Sequence, residues 1–134
     1  FMVLFGVIEV GRLLFTWNAL DEVTRRGARL ASVCPVTPAQ IANIKNRAVF
    51  DGTLINGLTP GNIVIEYLRA DGSAIPDPVA GFADIAAVRA RITGFTQQFL
   101  VPFLYQVIPA PEFSVTAGAE SLGVSPVGTG VTSC

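Results

Sequence analysis

Residues 1–33 read FMVLFGVIEVGRLLFTWNALDEVTRRGARLASV, and this stretch decides how the rest of the chain must be arranged. Its first twenty residues hold fourteen apolar side chains, no proline and two charges, Glu9 and Arg12. That is close to the length and composition of a bilayer span. A lone charge at the centre of such a span costs about 2.5 to 3.5 kcal/mol. At i and i+3, however, the carboxylate and guanidinium share a helix face and can pair, and Arg12 can reach toward an interface. The segment reads as a membrane helix near its exit, with a span that begins upstream of Phe1. The competing reading is a buried helix of a soluble core, which must accommodate Phe1, Met2, Val3, Leu4 and Phe5 with almost no polar face.

Beyond Leu20 the helical rhythm continues with a different character. Leu13, Trp17, Leu20, Thr24, Gly27, Ala31 and Cys34 follow a three-and-four spacing and form one narrow stripe whose residues shrink toward its end, which permits close approach. Asp21 with Arg25 and Glu22 with Arg26 are acid-first i,i+4 pairs, each worth a few tenths of a kcal/mol on a solvated face. Pro35 disfavours helical geometry at Cys34, so one helix of thirty-odd residues should stop near Val33. The chain then divides into an N-terminal membrane and assembly helix, 1–33, and a head, 34–134.

In the head, Thr37 can cap a second helix with Pro38 at its first position and Gln40 completing a capping box, running to about Phe50. Asp51-Gly52, Asn56-Gly57 and Pro60-Gly61 break the next stretch into turns. Asn62 to Arg69 (NIVIEYLR) is rich in strand formers and ends at Asp71-Gly72. Ser73 to Gly81, with two prolines, reads as a loop. From Ile85 to Leu100 a period of two predicts a strand, with Val88, Ala90, Ile92 and Gly94 on one side and Arg89, Arg91 and Thr93 on the other. Gln97 to Gln106 is ambiguous because Pro102 interrupts it; Glu112 to Ala117 reads as a last strand, and the residues from Gly118 on as irregular. The expected architecture is α+β: a long N-terminal helix packed on a small antiparallel sheet of three or four strands, with a second short helix.

Composition narrows the function. Over the whole chain 51% of residues are hydrophobic and 14% charged, with nine Lys plus Arg against ten Asp plus Glu. A net charge of -1 leaves no broad basic field for nucleic acid. The absence of histidine removes the commonest general base and every His-containing metal site. No cofactor site and no enzymatic constellation is marked. Asp71, Asp77 and Asp84 could offer oxygen ligands to calcium, but without EF-hand spacing, and solvated loop carboxylates are the simpler reading. Nothing pairs Glu66 with a loop aspartate for hydrolysis, and Arg89 and Arg91 read as exposed. Cys34 and Cys134 fit no CxxC motif. They form either a disulfide, which would anchor the tail and needs an oxidising compartment, or one buried thiol and one frayed terminal thiol.

The run LFGVIEVGRLLFTWNALDEVTRRGARLASV resembles the signature of TadE-like proteins, the pseudopilin-related minor components of Tad (Flp, type IVc) pilus systems. Weaker similarities follow in the head at Gly57-Leu58-Thr59-Pro60-Gly61-Asn62, Ile92-Thr93-Gly94, Phe113-Ser114-Val115-Thr116 and Glu120-Ser121-Leu122. The resemblance implies a pilin-like fold, an inner-membrane helix with a periplasmic head, exposure at the cell surface or pilus tip once assembled, and hetero-oligomeric assembly with other minor pilins and the major pilin. Its marked positions here are Glu9, Gly11, Arg12, Asn18, Ala28 and Arg29. Phe5 stands where type IV pilins place a glutamate, so Phe1 is not assigned as a processed terminus. On this reading Glu9, Gly11, Arg12, Trp17, Gly27 and Ala31 serve helix packing and register. The alternative is a membrane-anchored periplasmic binding module outside any filament.

Overall fold

The computed structural model describes residues 1–101, 105–128 and 130–134. Helix α1 spans Met2–Val33, and at about 1.5 Å per residue its 32 residues extend for roughly 48 Å. It stops where the proline argument places the stop: Cys34 is extended (φ -85°, ψ 154°) and its N–H closes the last turn on Leu30 O at 2.8 Å. Helix α2 spans Pro38–Ala48, with Thr37 Oγ1 accepting from the Gln40 N–H at 3.3 Å. Only half of the expected capping box forms, because the Thr37 N–H donates to Pro35 O instead and Gln40 Oε1 is buried without a partner. The helix ends two residues before Phe50, since Phe50, Asp51 and Gly52 all take positive φ. That turn brings the Phe50 ring under the Arg26 guanidinium, 4.3 Å from its carbon to the ring centroid.

Three strands, β1 (Ile63–Leu68), β2 (Ala87–Ile92) and β5 (Ser114–Gly118), form an antiparallel sheet in the order β1-β2-β5. The register pairs Ile63 with Ile92 and Leu68 with Ala87 on one side of β2, and Arg91 with Ser114 and Ala87 with Gly118 on the other. Val88, Ala90 and Ile92 are buried, as the period of two requires, while Arg89 and Arg91 lie on the opposite face. Two short strands, β3 (Thr96–Gln98) and β4 (Val107–Pro109), make a separate two-stranded ribbon rather than a fourth strand of the main sheet. The cause is Gly94: at φ +66° it is an exposed turn and not an inward strand position, and Phe95 takes the buried place beyond it. The break expected at Pro102 lies outside the described residues. The last strand begins two residues later than expected, because Phe113 O already accepts the Ile92 N–H just ahead of Ser114.

The sheet is laid on the second half of α1, with α2 on a further side, so the core falls into two clusters along the helix. Leu20, Val23, Val49, Leu58, Ile63 and Phe95 pack in the one nearer the N-terminus, and Ala31, Cys34, Ile44, Tyr67, Val88 and Leu122 in the other. Ile65 touches both. The weakly familiar head segments turn out to be staples between these elements. Asn62 Oδ1 accepts from the Thr59 N–H at 2.9 Å, its Nδ2 donates to Thr93 O at 3.1 Å, and the Thr93 N–H returns to Asn62 O at 2.8 Å. Glu120 and Leu122 donate their N–H groups to Ser32 O, tying the start of the tail to the end of α1. Cys34 and Cys134 are disulfide-bonded, 100 positions apart in sequence with Cα atoms 5.7 Å apart, and Asn43 Nδ2 donates to Cys134 O at 2.7 Å. The result is an α+β, pilin-like architecture.

Candidate assembly surface and its charge pair

The two halves of α1 have different surroundings. Phe1 to Phe5, Val7, Ile8 and Val10 are all exposed, and Leu14 and Phe15 continue the uncovered apolar surface. The helix is long and apolar enough to cross a membrane: an 18-residue window has mean hydropathy 1.4 with only 22% of its residues buried. A core helix of a soluble domain would be mostly covered. The apolar N-terminal helix therefore points to membrane anchoring.

Glu9 and Arg12 mark where the head first touches α1. Arg12 Nη2 donates to Glu9 Oε2 at 2.8 Å and also to the carbonyl of Gln98 at the end of β3, while the Leu100 N–H donates to the same Glu9 oxygen at 3.4 Å. Glu9 is only 5% exposed, because the ribbon closes over it. The pair thus closes inside the chain and stitches the ribbon to the helix, which offsets the penalty of an unpaired charge, although Arg12 Nε stays buried without a partner. Sequence reasoning placed the pair on one helix face but missed Gln98 and Leu100, since a backbone carbonyl or N–H has no side-chain signature. Thr16 Oγ1 donates back to Arg12 O at 2.9 Å. Beside them lies a cleft of about 480 Å³ lined by Arg12, Phe15, Thr16, Leu54, Phe95 and Gln97, among others.

The remaining helix positions separate by depth. Gly11 is exposed, and a Cβ built on it or on Gly6 meets nothing within 4 Å, so both leave open surface on the outer half. Trp17 is half-buried against the cluster nearer the N-terminus. Gly27 lies under the sheet, where a Cβ would stand 3.4 Å from Ala90 Cβ and 3.6 Å from both Ala48 Cβ and Ile65 Cδ1. Ala31 is fully buried beside Cys34, Tyr67 and Val88. The small stripe formed by Thr24, Gly27 and Ala31 therefore serves close approach of the chain's own sheet and supplies no argument for a neighbouring helix. Among the other marked positions, Ala28 is buried, whereas Asn18 and Arg29 are exposed.

The charged groups of the head are used structurally. Glu66 receives Arg89 at 2.7 Å and Arg91 at 3.1 Å, and Arg91 also reaches Glu112 at 3.1 Å, so the two arginines are members of a cross-strand network rather than simply exposed. Asp71 accepts from the N–H and hydroxyl of Ser73, and those bonds hold its carboxyl below the usual range. Asp77 caps its own turn through the N–H groups of Val79 and Ala80. No group of three or more potential metal-ligating side chains occurs among the described residues. Burial pushes the Tyr67 phenol up to about 12, and its hydroxyl has no partner.

A pilin-like class follows from this arrangement: a long helix with its apolar half bare and its amphipathic half buried under a small sheet. The family model of TadE-like proteins matches residues 1–29, so over most of α1 the chain is similar to that family. No curated protein and no solved structure gives a significant match.

Proposed function

We propose that this chain is a non-enzymatic, minor-pilin-like subunit of a Tad (type IVc) pilus system. In this reading α1 is held in the inner membrane, the head stands in the periplasm, and assembly with other minor pilins through the bare face of α1 initiates or caps a pilus. The observation that carries it is the coincidence of a TadE-like segment with a helix whose apolar half the head leaves uncovered. In lipid, such helices associate by close packing at small residues, for which Gly6 and Gly11 leave room.

Site-specific photocross-linking from Gly6 or Gly11 in cells tests the proposal. Adducts with other pilin-like helices support it, and adducts with lipid alone overturn it in favour of a membrane-anchored binding module. The closure of the Glu9–Arg12 pair within its own chain and the cleft beside Arg12 are the features that favour that second reading. Reversing both charges adds a discriminator for register. Reversal also sets a carboxylate against the Gln98 carbonyl and a guanidinium against the Leu100 N–H, so its cost within the chain is read from amide exchange at Gln98 and Leu100 of the isolated Glu9→Arg/Arg12→Glu protein. An assembly loss no larger than that assigns the pair to its own chain, whereas a pair that sets register between subunits makes wild-type partners reject the protein and partners with the same reversal accept it.

A further inference from the structure

The two outer edges of the main sheet are treated differently. Beside β1, the Ile75 N–H donates to Tyr67 O at 2.8 Å, the Arg69 N–H to Ser73 O at 2.9 Å, and Ala74 bridges Leu68, so that edge is partly closed. Along β5 the bonds from Ile92 N–H to Phe113 O and from Ala119 N–H to Ala86 O fix the phase of the ladder. Odd-numbered residues there turn their backbone groups to β2, and Ser114, Thr116 and Gly118 turn theirs outward. All three are exposed, and β5 has no neighbour on its far side among the described residues. The tail that follows leaves this edge open, because it runs back to Ser32 and to Cys34.

A bare edge of this kind is a template for another strand. Its ends select which one. Glu112 and Glu120 flank β5 and are both exposed; Glu112 already meets Arg91 at 3.1 Å on the outer face, whereas Glu120 has no ion pair among the described residues. A second copy pairing antiparallel about Thr116 would set Glu112 against Glu120 at both ends, and a parallel in-register copy would set each glutamate against itself. Like charges directly opposite one another are destabilising. We infer that the β5 edge docks an extended strand of a different protein, carrying Lys or Arg at two positions eight residues apart, opposite Glu112 and Glu120. This rests on the assembly reading above and deepens it by naming what the head, as distinct from α1, holds.

The test uses the full chain in mild detergent and two acetylated, amidated nine-residue peptides of alternating Thr and Val, one with Lys at both ends and one with Glu. Amide exchange at Ser114, Thr116 and Gly118 should slow on adding the Lys peptide, at about tenfold lower concentration than the Glu peptide requires. Thr116→Pro removes an outward N–H while leaving the ladder to β2 intact, and should abolish the effect with the near-UV spectrum unchanged. Glu120→Lys should shrink the preference for the Lys peptide. Equal response to both peptides, no slowing at the three amides, or survival of the effect in Thr116→Pro overturns the inference. So does slowing of the same amides on raising protein concentration alone, which would assign the edge to self-pairing. Failure of the α1 cross-links with peptide protection intact would remove the pilus assignment and leave a strand-docking head.

Discussion

Breaking the bond between Cys34 and Cys134 should destabilise the head by an amount fixed mainly by the unfolded chain. The two cysteines are 100 positions apart, and closing a loop of that length removes about 4 to 5 kcal/mol of unfolded-state entropy at 25 °C. The folded side of the balance changes little if the substitutions respect burial. Cys34 is fully buried and is best replaced by Ala, while Cys134 is only partly covered and can become Ser. The tail keeps its hold as far as Gly123 without the bridge, because Ser32 O still accepts from Glu120 and Leu122, and Leu122 still packs in the core. Urea unfolding of the full chain in detergent can be followed through Trp17, the sole tryptophan, which is half-buried against the cluster nearer the N-terminus. With an m-value of roughly 1 to 2 kcal/mol/M, the midpoint should fall by roughly 2 to 5 M, and reduction of the parent should reproduce the shift. The lost stability should reside largely in slower refolding, as expected of a constraint on the unfolded ensemble. A midpoint change worth less than about 1 kcal/mol refutes the entropic reasoning.

Three further outcomes follow from packing and charge. Gly27→Ala should stay within about 1 kcal/mol of the parent, since helix propensity offsets a tight 3.4 Å contact, whereas Gly27→Leu should cost about 2 to 3 kcal/mol in thermal unfolding because α1 cannot move off the sheet. Arg12→Leu should cost about 2 to 3 kcal/mol by leaving Glu9 buried without its cation, and amide exchange should quicken at Gln98 and Leu100 first; unchanged exchange there refutes the stitching role. Tyr67 has a raised folded pKa of about 12 against 10.0 for the free side chain, so its contribution is complete below pH 10 and is lost as pH rises toward 12, when only the unfolded chain ionises. Between pH 9 and 11 the parent should lose about 1.4 kcal/mol more than Tyr67→Phe, which at pH 7 should be equal or more stable because it removes an unpaired hydroxyl. Parallel pH profiles for the two proteins would contradict this.

Much of α1 was legible in the sequence because its periodicity and stop are local. Leu20, Thr24, Gly27, Ala31 and Cys34 are buried as the spacing predicts, but Ala19, Val23, Ala28 and Ser32 are buried too. The helix is packed by both the sheet and α2, so a single narrow stripe underestimates the covered arc. Asp21 pairs with Arg25 at 2.9 Å, whereas Arg26 lies over Phe50 in place of the expected partner Glu22; that choice depends on a left-handed turn at Phe50 that no propensity announces. Alternation identified β2 correctly but ran through Gly94, where glycine's freedom at positive φ ends the strand. The network around Glu66 became readable only once register put it opposite Arg89. The contacts that cover Glu9 come from backbone atoms about ninety residues away, and nothing in side-chain type encodes them.

Joining the end of α1 to Cys134 turns the head into a covalent ring hung from one rod. A single protease nick anywhere between the two sulfurs, for example in the exposed turn at Gly72, would leave both pieces attached. The damage would show as two bands only after reduction. The ring can be sealed only after Cys134, 100 positions beyond Cys34, has been synthesised, so in the nascent chain the bond closes over a head whose strands are already complete in sequence.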